Sequence, residues 1–204
     1  MTGMNGNVED LELIDSIHNG RTDLFQRLVE KYQKRIYNFG LKICPNPQDA
    51  EDMVQESFIN VFRYLKDFRR ESSFKNWLYL IASSVCHKMK RKSKFAPERE
   101  LSLEEFIPDD HDSVKKEIPD WAVEPSERLL NRELSNKIQS AIAELPTDYR
   151  LVLVLRDMEG FSTEETAGIL HITPANVKVR LHRARLFVRN VLKEYYELEP
   201  RKHP

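Results

Sequence analysis

Residues 161–185 read FSTEETAGILHITPANVKVRLHRAR, and the punctuation of this stretch decides the fold. Ser162 with Glu165 forms a capping box, in which hydroxyl and carboxylate satisfy each other's free backbone donors and open a short helix. That helix buries Ala167 and Leu170. His171-Ile172 make a tight turn, and Thr173-Pro174 supply a second N-cap and first helical position. Beyond them Val177, Leu181, Ala184, Val188 and Val191 form one apolar stripe, so the other faces must display Asn176, Lys178, Arg180, His182, Arg183, Arg185 and Arg189. Two short helices joined by such a turn, the second rich in long cationic side chains, read as a helix-turn-helix that lays its second helix in the major groove of duplex DNA. The small Ala167 lets the two helices pack closely. Asn176 and Lys178, in the first turn, then point at base edges, whereas Arg180, Arg183 and Arg185 suit phosphate oxygens. A solvated basic face in a packed bundle is the plainer reading of the same cations; the doubled N-cap and the turn weigh against it.

Upstream, residues 129–145 form a helical run stopped by Pro146, and residues 149–158 another stopped by Gly160. Before these, between about Phe95 and Arg128, periodicity fades, Pro97, Pro108, Pro119 and Pro125 recur, and acidic residues dominate. Charge is sharply segregated: residues 1–95 carry 16 Lys+Arg against 12 Asp+Glu, residues 96–130 carry 4 against 11, and residues 131–204 carry 12 against 10. Two mildly basic blocks joined by an acidic strap suit two modules with anionic partners, although an ordinary acidic linker between ordinary domains gives the same counts.

The first block holds three helices. Leu24, Phe25, Leu28, Val29, Tyr32, Ile36, Phe39 and Ile43 follow the 3.6-residue period until Pro45. Asn46-Pro47 then caps and starts a helix that buries Ala50, Val54, Phe58, Val61, Phe62 and Leu65 and displays an acidic polar ridge of Glu51, Asp52, Gln55 and Glu56. On priors such a ridge is a solvated helix face. After Ser72-Ser73 a third helix places Phe74, Trp77, Leu78, Ile81, Ala82 and Val85 at core spacing and runs into a Lys/Arg tail that should meet an anion. Trp77, Tyr79 and Tyr64 beside those cations match the needs of unpaired DNA, with rings on which bases stack and charges that follow the backbone. Trp77 also lies on the core stripe and serves equally well as packing.

Composition narrows the function classes. With 40% hydrophobic and 32% charged residues and 6 glycines in 204, the chain suits a helix-rich globular protein. No stretch approaches the roughly 20 apolar residues that span a bilayer, and the N-terminus lacks a signal-peptide core, so a cytoplasmic location without membrane insertion is expected. Cys44 and Cys86 stand far apart without paired-ligand spacing, as inert thiols would in a reducing compartment, and no disulfide framework or zinc site is expected. The histidines show no metal spacing, and there is neither a glycine-rich phosphate loop nor a nucleophile elbow, so no catalytic residue, metal or cofactor is expected.

Three segments in order and register, residues 49–58 (DAEDMVQESF), 74–82 (FKNWLYLIA) and 144–146 with 177–185 (ELP and VKVRLHRAR), resemble the signature segments of extracytoplasmic-function sigma factors of the sigma-70 family. The resemblance runs from about residue 20 to 195. It implies an all-α protein of two helical domains, a region 2 bundle and a region 4 helix-turn-helix, joined by an extended acidic linker. The expected divisions are an N-terminal extension (1–19), region 2 (20–95), the linker (96–130), region 4 (131–197) and a C-terminal tail (198–204). It further implies binding of the β′ clamp helices of core RNA polymerase through Asp49, Asp52, Gln55 and Glu56. Recognition and melting of a minus-ten element would fall to Asn76, Trp77, Tyr79, Ser83, Ser84, Lys88, Lys90 and Arg91. Reading of a minus-thirty-five element would fall to Thr173, Pro174, Asn176, Lys178, Arg180, His182, Arg183 and Arg185, with an apolar side of region 4 on the polymerase β-flap. Promoter DNA, double- and single-stranded, core polymerase and an anti-sigma factor are the implied partners, and the linker's acidity suits a cationic polymerase cleft. Ser83-Ser84 stand where family members usually carry Arg-Asn, and His171 where Gly is common. The competing readings are a stand-alone helix-turn-helix regulator, which would read paired half-sites as a dimer, and a scaffold using the acidic ridge for protein contacts alone.

Overall fold

The computed structural model describes residues 3–92 and 130–198. All the regular elements among them are helical: α1 (Gly3–His18), α2 (Phe25–Ile43), α3 (Pro47–Tyr64), α4 (Phe74–Lys92), α5 (Leu130–Glu144), α6 (Thr147–Leu153), α7 (Thr163–Leu170) and α8 (Pro174–Leu198), with 3-10 turns at Thr22–Leu24 and Leu65–Asp67. The acidic linker expected at 96–130 lies almost wholly outside the described residues. None of the described helices is long and apolar enough to cross a membrane.

The helices of the first module meet at the periodic positions: Leu28, Tyr32, Ile36 and Phe39 of α2, Met53, Phe58 and Val61 of α3, and Phe74, Leu78, Ile81 and Val85 of α4 are buried together. Gly40 permits the close crossing of α2 and α3, since a Cβ there would lie 2.8 Å from Met53 Cε and 3.3 Å from the Ala50 Cα. Phe62 departs from expectation. It is 54% exposed, packing edge-on against Phe25 with ring centroids 5.0 Å apart, because it lies at the margin of the stripe rather than on it. The N-terminal extension is also more than a tail. As α1 it buries Ile14 and Ile17 in the core, and its Asp10, 1% exposed, accepts from Lys31 at 2.7 Å and from the Tyr32 hydroxyl at 2.5 Å. A carboxylate so deep is tolerable only when paired. The Tyr32 hydroxyl is held protonated by burial and by that neighbouring charge.

In the second module α6 passes into one π-helical turn, Val154–Met158, which ends at Gly160 with φ 74°, a left-handed conformation that glycine adopts without strain. The core of the described residues is continuous across both modules: Leu145, Leu151, Leu155 and Phe161 join the same cluster as Phe39 and Tyr79. Arg150 secures the joint. Its guanidinium donates to Ile43 O at 2.7 Å, to Leu145 O at 2.8 Å and to Ala143 O, capping the carbonyl ends of α2 and α5 with one cation.

Candidate polymerase and nucleic-acid interfaces

The helix-turn-helix takes the form its punctuation demands. Ser162 Oγ accepts from Glu165 N at 3.1 Å, and Glu165 Oε2 accepts from Ser162 N at 2.8 Å. His171 ends α7 in the left-handed region, φ 52° and ψ 41°, where an imidazole is less strained than a β-branched side chain. Thr173 Oγ1 accepts from Asn176 N at 3.2 Å, the second N-cap. Val177, Leu181 and Ala184 then anchor α8 while Val188 and Val191 are half-buried, and Ala167 is buried beneath with Leu170 only half so.

On the far side Thr173, Pro174, Asn176, Lys178 and Val179 stand in solvent. The arginines are less free than their sequence positions suggest. Arg180 is paired with Asp148 at 3.2 Å and lies over the Tyr149 ring. Arg185 makes a two-pronged bond to Asp157, at 2.9 and 2.6 Å, which raises its already high pKa further. His182 and Arg183 are half-buried.

The acidic ridge of α3 is exposed at Glu51, Asp52 and Gln55. Its start is fixed by Asn46, which accepts from Asp49 N at 2.8 Å and donates to Asp49 Oδ2 at 2.9 Å, so Asp49 is spent partly on the cap. Glu56 forms an ion pair with Lys88 at 3.0 Å, joining a residue expected to bind polymerase to one expected to bind DNA.

Along α4 the expected minus-ten residues separate into two sets. Ser84 and Lys88 are exposed, and Lys90 is half-exposed; the Arg91 side chain lies outside the described residues. Asn76, Tyr79 and Ser83 instead face the second module. Asn76 Nδ2 donates to Glu165 Oε1 at 3.0 Å. Tyr79 is 0% exposed, its ring edge-on between Phe39 at 5.1 Å and Phe161 at 4.8 Å, its hydroxyl donating to Glu159 at 2.6 Å. Burial and that carboxylate push the phenol's pKa well up. Glu159 also receives Lys42 at 2.9 Å, and Lys75 lies 4.1 Å from the Phe161 ring centroid. Burial lowers the Lys75 pKa, and the charge of Arg35 adds to that. Trp77 is half-buried, its ring tilted against Phe68 at 5.1 Å and Phe74 at 6.0 Å. Ser83, 2% exposed, has no hydrogen-bond partner for its hydroxyl and lines an open cleft of about 330 Å³ with Ser84, His87, Lys88 and Ile169–His171. Glu159, Glu165 and Phe161 are the residues that sequence reasoning missed as a docking set. Only the capping box marked any of them in advance.

Comparison with known proteins fits this arrangement. The family model described as Sigma-70 region 2 matches residues 28–96, and that described as Sigma-70 region 4 matches residues 135–188. The RNA polymerase sigma-H factor of Pseudomonas aeruginosa is 32% identical over 180 residues, covering 87% of this chain and 90% of the relative. The ECF RNA polymerase sigma factor SigW of Bacillus subtilis is 33% identical over 181 residues, covering 89% and 95%. Among solved structures, CnrH in complex with the cytosolic domain of CnrY shares the fold with a TM-score of 0.62 at 21% identity, covering 89% of this chain and 96% of that one. The Bartonella quintana sigma factor RpoE in complex with the anti-sigma factor NepR does so with a TM-score of 0.58 at 23% identity, covering 83% and 96%. An all-α chain with a capped helix-turn-helix after a helical bundle, both halves matched in order, therefore belongs to the extracytoplasmic-function sigma factors of the sigma-70 family, a family of non-enzymatic transcription initiation factors.

Proposed function

We propose that this chain binds core RNA polymerase in the cytoplasm, is itself no enzyme, and directs the polymerase to promoters by dividing the work between its modules. Region 2, taken as residues 20–95, grips the β′ clamp helices through Asp52, Gln55 and Glu56, with Asp49 fixing the start of their helix. Region 4, taken as residues 131–197, reads a minus-thirty-five element with α8, whose exposed Asn176 and Lys178 reach base edges while Arg180, Arg183 and Arg185 serve phosphates. An apolar side of the same module meets the β-flap, and an anti-sigma factor would act by holding surfaces of both modules.

Asn76, Trp77, Tyr79, Ser83, Ser84, Lys88, Lys90 and Arg91 act on the minus-ten element. A ring without exposed surface cannot stack on a base, so promoter opening through Tyr79 requires the modules to part. The observation that carries the reading is the exposed first turn of α8 on a doubly capped helix-turn-helix within a chain matched to both sigma regions. Transcription with purified core polymerase tests it. The expected result is start-site selection that requires both chain and core; operator selection by the chain alone would favour a stand-alone regulator instead.

A further inference from the structure

Helix α8 carries its cations on the sides turned away from the core, yet one large apolar side chain stands in solvent among them: Val179 is 47% exposed. Val177 and Leu181, each two residues away and therefore roughly 200° round the helix axis, are buried. Val179 points away from that anchoring stripe. Its neighbours on the same face, a turn before and a turn after, are Ala175 and Asn176 and then His182 and Arg183. Ala175 and Asn176 are exposed, whereas His182 and Arg183 are half-buried.

Packing does not account for a valine here. A β-branched residue loses side-chain freedom in a helix and ranks below alanine and lysine as a helix former. Val179 belongs neither to the buried core nor to the apolar residues packed against it. A single exposed valine is ordinary on a protein surface; this one stands between Lys178 and Arg180 on the helix that also exposes Asn176. With Ala175 one turn earlier it makes a ledge of methyl groups, flanked by the amide of Asn176 and the ammonium of Lys178.

We propose that Val179, backed by Ala175, selects thymine through the C5-methyl group that this base alone displays in the major groove, a role that rests on α8 reading a minus-thirty-five element. The two γ-methyl groups of valine are stiffly held by β-branching, so contact with the thymine methyl costs little ordering. Burying that one methyl against them is worth about four-fold in affinity. Cytosine in the same place presents an amine that valine cannot satisfy, so the contact also rejects a G·C pair. Asn176, on the same face, carries the amide that pairs with N6 and N7 of adenine. The two side chains together fit A·T pairs. Lys178 beside them supplies attraction to the phosphates that brings the ledge into the groove.

The test uses holoenzyme assembled from core polymerase and the full chain. A minus-thirty-five element is recovered from randomised duplex promoters, and each of its thymines, on either strand, is then replaced singly by deoxyuridine, which removes the methyl group and nothing else. At one or more of these positions the replacement is expected to weaken binding of the wild-type chain about three- to five-fold, the worth of one buried methyl. Val179→Ala, which keeps the helix because alanine is its best former, is expected to bind thymine and deoxyuridine alike there. Equal binding of deoxyuridine by the wild-type chain at every position, a preference that survives Val179→Ala, or a recovered element lacking A·T pairs would overturn the proposal and leave the reading of DNA by α8 standing. Recovery of no minus-thirty-five element would overturn both.

Discussion

In the first turn of α8 the side chains suited to DNA stand in solvent, whereas along α4 three of them, Asn76, Tyr79 and Ser83, are turned against the other module. Lys178 and Asn176 are exposed; Asn76 and Tyr79 are bonded to Glu165 and Glu159. The difference lies in what each surface is made of. A cationic helix face gains little from burial and stays hydrated, while aromatic rings beside a lysine bury readily against another apolar surface. The same chemistry that would let rings receive unpaired bases lets them receive Phe161, so under the proposed function the second module stands where the nucleic acid would bind.

The contrast can be broken most forcefully at Phe161, 1% exposed and packed on Tyr79. Phe161→Ala is expected to cost about 3–5 kcal/mol in denaturant unfolding, with the first module melting separately from the second; a loss below about 1 kcal/mol would mean that the modules hardly rest on one another. Tyr79→Phe keeps the ring and removes the hydroxyl bond to Glu159. About 1.5–3 kcal/mol of docking should go with it, read as faster carbodiimide labelling of Glu159. On the exposed side Lys178→Ala should weaken minus-thirty-five binding by about 1 kcal/mol and reduce discrimination between sequences. Arg180→Ala should shift all sequences alike, since phosphate contacts carry no sequence information. Equal losses on every sequence from both changes would remove Lys178 as a base reader.

The smallest effect concerns pH. Burial tends to raise the Glu165 pKa, but the Ser162 N–H, Asn76 and Lys75 together hold it below its ordinary 4.5. Its contribution to the cap of α7 is therefore complete above pH 4.5 and is lost as pH falls through the lowered value. Thermal stability followed from neutral to acid pH should decline less steeply in Glu165→Gln.

Local chemistry made much of this legible. The capping box, the Thr173 N-cap, the Asn46-Pro47 start and the core stripes of α2 and α4 depend on residues a few positions apart, and each formed where spacing put it. Phe62 misled because periodicity counts apolar residues without saying which lie at the stripe's edge. Helix α1 hid behind glycine and asparagine, and only Ile14, Ile17 and the buried Asp10 reveal that it belongs to the core. The meeting of Tyr79 with Phe161 is tertiary. No local period announces it.

Hydroxyl-radical footprinting of Tyr79 and Phe161 tests the paired arrangement most directly. In the free chain both rings should be protected, and addition of core polymerase should make Tyr79 reactive while α8 stays as accessible as before. Full reactivity of Tyr79 in the free chain would contradict the account.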